Sequence, residues 1–165
     1  MLDFLPSVLC SPAGFIQTLM CMLPGNPDMS DQILVPIDGS DHSWTAFEYA
    51  IDEHSDDHLT VLHVIDPMKG DYEPDEATAQ AVSRSEQLEQ DVHERVADAG
   101  FDDSQVDIVT RNGRPANEII ALADTDEIDQ VVMGSRGLSG VKRLLLGSVA
   151  ETVVRRASVP VNIVR

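Results

Sequence analysis

Short β-rich runs alternate with segments of helical period along most of this chain, and that alternation constrains its fold more than any other feature. Gln32–Ile37 (QILVPI) and His58–Ile65 (HLTVLHVI) are apolar runs of strand length, and between them Trp44, Phe47 and Ile51 recur at helical spacing. Ser40 or Ser43 stands where that helix needs a cap. Helical spacing over 75–99, through Ala81, Leu88, Val92, Val96 and Ala99, predicts the longest helix, with Gly100 as its left-handed stop. A strand over 105–110, a helix from Pro115, a strand over 128–133, a helix opening at Gly147 and Ser148, and a strand over 159–164 complete the series. Strands separated by helices need right-handed crossovers, which give a parallel sheet covered on both faces. The expected class is α/β: one doubly wound, five-stranded parallel sheet.

The first 28 residues do not share this pattern. They hold no Lys or Arg, both cysteines (Cys10 and Cys21) and prolines at 6, 12, 24 and 27. Export signals carry a basic n-region, which is missing here, and Pro6, Pro12 and Gly14 interrupt the run of about 20 apolar residues that a membrane span requires. The expected organisation is a non-domain extension over 1–28 and one domain over 29–165. Met29 reads as a natural start and the extension as upstream sequence taken in with it; an export signal of unusual form and a partner-binding tail are the rival readings. A domain without cysteine is consistent with the cytoplasm.

Charge narrows the function classes. The chain carries 29 acidic residues against 11 basic ones, a formal net charge of -18, and only Lys69 and Lys142 are lysines. Duplex binding rests on basic groups that neutralise phosphates, so a nucleic-acid partner is not expected. Dense carboxylates with almost no lysine suit a cytoplasm of molar salt, where screening acts over about 3 Å, and the expected source is a halophilic archaeon; an ordinary acidic protein is the alternative.

In an open doubly wound sheet, ligands bind beyond the carboxyl ends of the strands. The first strand ends in Pro36-Ile37-Asp38-Gly39-Ser40, the second in His63-Val64-Ile65-Asp66 and the fourth in Met133-Gly134-Ser135-Arg136-Gly137. Two glycines three apart let a phosphate approach backbone N–H groups, and the helix start at Gly147-Ser148 offers further donors. Neither GxxxxGK[ST] nor a post-strand GxGxxG is present, and no GxSxG supports a Ser-His-Asp hydrolase.

Bland readings stand beside these. Asp38 could only open an Asp-Gly turn, Ser148 and Glu151 fit a capping box that needs no ligand, and Gly134 and Gly137 could serve a tight turn. Arg136 could bind phosphate or only soften the local acidity. His54 and His58 have a zinc-like spacing, but the SDDH stretch is expected to break the helix that would align them, and His63 reads as a satisfied core histidine.

The spacing Gly134-x2-Gly137-x9-Gly147-Ser148, joined to ILVPIDGS and LHVID at the first two strand ends, resembles the ATP-binding universal stress protein family over essentially residues 31 to 165. The resemblance implies a Rossmann-like sheet of order 3-2-1-4-5. It also implies an ATP or related adenine-nucleotide site with Mg2+ carried on the phosphates. By position, Asp38 matches an acid contacting the adenosine portion, Pro36 and Val64 match residues lining the adenine, and Met133 lies at the matching strand end. Gly134, Gly137, Gly147, Ser148 and Val149 match the phosphate-binding loop and helix start, with Arg136 inside the loop. The resemblance further implies a homodimer paired through the final strand. The function expected is a nucleotide-responsive stress switch or sensor rather than an enzyme, with an unknown protein partner and no catalytic residues. The alternative is a nucleotide-free dimeric scaffold or protective module, and an adenylating enzyme on a related fold is disfavoured because an SGG-type loop is missing after the first strand.

Overall fold

The computed structural model describes residues 30–66, 74–137 and 146–165. The N-terminal extension, Lys69, Lys142 and most of the nine-residue spacer of the glycine motif lie outside these residues. The elements run β1 (Gln32–Ile37), α1 (Asp41–Glu53), β2 (His58–Ile65), α2 (Pro74–Ala99), a 3-10 turn (Asp103–Gln105), β3 (Val106–Asn112), α3 (Pro115–Ala123), β4 (Gln130–Gly134), α4 (Ser148–Arg156) and β5 (Val161–Val164). The strands form one sheet of order β3-β2-β1-β4-β5, and every pairing is parallel.

Side chains of successive strand residues point to opposite faces, so each strand feeds two cores. Ile33, Val35 and Ile37 of β1 join Phe47, Ile51, Val92 and Val96 from α1 and α2 on one face. Leu34 joins Leu62, Val131 and Met133 under Ile119, Ile120 and Val153 of α3 and α4 on the other. Helices therefore cover both faces, as the alternation of elements required. The guanidinium of Arg95 lies 4.3 Å from the centroid of the Trp44 ring, tying α2 to α1 outside the core.

Local chemistry sets the ends. Ser40 is the cap of α1, and its hydroxyl accepts the Ser43 N–H. Gly100 (φ 69°) ends α2: its N–H donates to Ala97 O and that of Phe101 to Val96 O, and Phe101 packs on the core that holds Val96. That is a Schellman stop, which needs a residue at positive φ.

Several element limits differ from the sequence reading. Gln105 belongs to the 3-10 turn, and β3 runs on to Asn112 because Arg111 and Asn112 continue the register opposite Val64 and Ile65. Ile128 is buried without being in a strand, and β4 starts at Gln130 and extends to Gly134. Pro160 has no N–H, so β5 begins at Val161, although the Pro160 carbonyl still accepts the Val131 N–H at 2.9 Å.

Candidate functional site

Pro36, Val64 and Met133 all lie at the carboxyl ends of adjacent strands. They share strand parity with Leu34, Leu62 and Val131, so they belong to the face covered by α3 and α4. Met133 is core, with 5% of its surface exposed, and Val64 packs against the same cluster with part of its surface open. Together they form an apolar floor. The start of α4 stands over the same face, with Leu146 and Val149 packed on that cluster.

The turn after β1 is built around Asp38. Gly39 takes φ 82°, a conformation that costs a side-chain-bearing residue, and so reverses the chain onto Ser40. The Asp38 carboxylate then accepts the Ser40 N–H at 3.1 Å and the Ser40 hydroxyl at 2.6 Å through the same oxygen. The bland reading of Asp38 as a turn residue is therefore correct as far as it goes.

The loop after β4 meets this turn closely. A Cβ on Gly134 would collide with the backbone carbonyl of His42, and one on Gly137 would collide with the second carboxylate oxygen of Asp38. A Cβ on Gly147 would come within 3.3 Å of Ser135 O. Packing by itself requires glycine at Gly134, where the Cβ would meet fixed backbone; at Gly137 it would meet only the end of the Asp38 side chain, and at Gly147 the contact is merely tight. Gly134 admits the first turn of α1, and Gly137 lies against Asp38.

Ser135 links the remaining parts. Its N–H donates to Val164 O at 2.9 Å and its carbonyl accepts the Gly147 N–H at 2.8 Å, so one residue pins the loop to the end of β5 and to the start of α4. Gly147 itself is the cap residue of α4, and no side chain caps the helix there. The Ser148–Glu151 capping box is therefore not formed; Glu151 donates its N–H to Gly147 O and pairs through its carboxylate with Arg155 at 3.0 Å. Among the described residues no side chain caps the first turn of α4, where the positive end of the helix dipole lies. Arg136 adds a guanidinium whose Nε is buried with no hydrogen-bond partner among the described residues.

The histidines fall elsewhere. His63 is buried, and because its Nδ1 lies 3.1 Å from the carbonyl of Ile37, an acceptor, the proton sits on that nitrogen. His54 pairs with Asp57 at 2.8 Å and His58 with Asp107 at 2.9 Å, two separate carboxylates at the opposite end of the sheet. Ser40 and Ser135 are the residues the sequence reading undervalued. The D-x-S spacing after β1 was the available signal for Ser40; Ser135 acts through backbone groups, which no residue type announces.

Fold and loops define a class: a doubly wound α/β domain whose glycine-bearing loops meet at its strand reversal, where β1 is flanked by β2 and β4. The universal stress protein family model matches residues 29–165, and the chain belongs to that family. A universal stress protein of Methanocaldococcus jannaschii is 32% identical over 153 residues, covering 89% of each chain. Among solved structures, UspA from Lactobacillus plantarum superposes with a TM-score of 0.71 at 25% identity, covering 82% of this chain and 97% of that one. A universal stress protein solved in complex with cAMP superposes with a TM-score of 0.62 at 27% identity, covering 82% and 97% of the two chains.

Proposed function

We propose that this protein binds an adenine nucleotide, ATP first among them, in the crevice between the ends of β1, β2 and β4, and that binding switches its interactions with a partner. The observation that carries this reading is the gathering at the carboxyl end of the sheet of an apolar floor (Pro36, Val64, Met133), an oriented carboxylate (Asp38) and a helix start without a side-chain cap (Gly147, Ser148, Val149). A flat base, a ribose with hydroxyl donors and a phosphate chain need those three surfaces in that order. The related structure in complex with cAMP supports the adenine portion. Mg2+ would enter on the phosphate oxygens, as this small, strongly hydrated ion commonly does. Arg136 would take a phosphate, which would give its buried Nε a partner. Asp38 would act as a recognition group rather than as a base on a reacting atom, and we propose that the output is a bound state and not turnover.

Isothermal titration with Mg-ATP in molar KCl, with mass spectrometry of any nucleotide released on denaturation, tests the reading. Binding with one nucleotide per chain is expected; an absent heat together with failure to displace a fluorescent ATP analogue would retire it.

One observation favours the scaffold alternative: packing against the His42 backbone accounts for Gly134 without any ligand. That reading requires no ATP affinity, so the same titration separates the two. Under either, β5 is a sheet edge whose Val161 and Ile163 reach the core, and we propose that it pairs with a second copy to close that edge. Light scattering at micromolar concentration should give twice the chain mass of 18.0 kDa.

A further inference from the structure

Ser40 is 8% exposed and stands between the two loops of the crevice. Its single hydroxyl proton has two acceptors in range, Asp38 Oδ1 at 2.6 Å and Arg136 O at 3.4 Å. The shorter, charge-assisted bond takes the proton, since hydrogen bonds to a carboxylate are both shorter and stronger than those to a neutral carbonyl. A lone pair of the same oxygen receives the Ser43 N–H at 3.3 Å. The hydroxyl is therefore used as a donor and as an acceptor at once. On the far side of the carboxylate, Asp38 Oδ2 fills the space that a Gly137 side chain would occupy. The Ser40 N–H and hydroxyl both donate to Oδ1, and Oδ2 lies against the Gly137 backbone.

We infer that Ser40 is a positioning residue for nucleotide recognition: it holds the Asp38 carboxylate, which lies against Gly137, in the rotamer that meets the adenosine portion. This rests on the reading of the crevice as an adenine-nucleotide site. Without the hydroxyl, Asp38 Oδ1 keeps the Ser40 N–H at 3.1 Å but loses its shortest hydrogen bond, so the carboxylate is less firmly pre-oriented for the ligand. The cap role of Ser40 is separable, because glycine is itself well accepted at helix caps.

The experiment measures Mg-ATP affinity and Tm for the full chain and for Ser40→Gly, Ser40→Thr, Asp38→Ala and the Asp38→Ala/Ser40→Gly double variant. Ser40→Gly should weaken binding roughly tenfold, as expected for a hydrogen bond to a charged group, and Ser40→Thr, which keeps the hydroxyl, should bind within about threefold of wild type, an affinity change of about 0.65 kcal/mol. In the Asp38→Ala background the Ser40→Gly change should have no further effect, because the group it positions is gone. Full additivity with Asp38→Ala would overturn the inference, as would unchanged affinity in Ser40→Gly, or an affinity loss in a folded Ser40→Thr equal to that of Ser40→Gly. A wild type without ATP affinity would overturn the nucleotide reading, and this inference with it; a binding wild type with an additive cycle would overturn this inference alone.

Discussion

The two ends of the sheet solve the same problem in opposite ways. At the amino-terminal end of the strands, carboxylates meet backbone and imidazole groups one by one. Asp57 accepts the Asp31 N–H at 2.9 Å, Asp129 accepts the Gln32 N–H at 2.8 Å, and His54 and His58 each have their own aspartate. At the carboxyl end, contacts run through glycine, serine and main chain: Gly134 on His42, Gly137 on Asp38, Gly147 on Ser135. The first end has its polar groups matched by side chains and so contributes stability. Among the described residues, the second shows a helix start without a side-chain cap and a buried guanidinium nitrogen without a partner.

The largest effect expected from breaking this contrast is at Gly134. Gly134→Val would drive a β-branched side chain into the His42 carbonyl, and since backbone lies on both sides, neither partner can swing away. Destabilisation of about 3 kcal/mol, the upper part of the range for overpacking, should lower Tm by on the order of 10 °C. A thermal melt within 2 °C of wild type, a shift of under about 1 kcal/mol, would mean that the loop and α1 do not meet as described.

Gly137 and Asp38 sharpen the contrast next. Gly137→Val should abolish detectable ATP binding while far-ultraviolet circular dichroism changes little, because its clash is with the end of a short side chain. It should do so by displacing Asp38 as well as by crowding phosphate, so it acts on both ends of the nucleotide. Asp38→Ala should weaken Mg-ATP roughly tenfold or more, the scale of a hydrogen bond to a charged group. If Gly137→Val bound ATP normally, the crevice would not be the nucleotide site.

The same contrast explains what was legible before the structure. Strand and helix order came through because burial on two faces writes continuous apolar runs such as HLTVLHVI, and helices write their own period. The limits of β3, β4 and β5 did not, since ladder pairing decides them: a polar pair such as Arg111 and Asn112 extends β3 only because β2 lies beside it. In the site, Asp38 and the glycines could be located from spacing, but not the reason for each glycine. That reason is the position of a distant carbonyl or carboxylate, which spacing does not encode. The Ser148–Glu151 pattern misled for a related cause: Gly147 had already taken the cap position.

Salt probes the surface on which both ends sit. With 27 acidic against 11 basic residues beyond residue 28, the folded domain repels itself when charges are poorly screened. We propose a protein adapted to molar salt, and expect Tm to rise between about 0.1 M and about 2 M KCl as the Debye length falls severalfold. A Tm that stays flat across that range would reject the adaptation.

The smallest effect belongs to Asp102 at the amino-terminal end, the cap of the 3-10 turn before β3. Its carboxylate accepts the Ser104 N–H at 2.9 Å, and this bond, followed by one from the Ser104 side chain, holds its pKa below the ordinary value of 3.8. A folded-state pKa below the unfolded one stabilises the fold at pH above the unfolded value, and that contribution disappears as pH falls through the folded one. Asp102→Asn keeps a capping oxygen and removes the charge. Its Tm should therefore lie slightly below wild type at pH 7, and the gap should close as pH drops below about 4, the unfolded carboxylate range. In wild type, the carboxyl carbon of Asp102 should titrate by NMR with a midpoint below 3.8. A midpoint at or above that value, or a gap that widens in acid, would show that this end does not satisfy its carboxylates through the backbone contacts described.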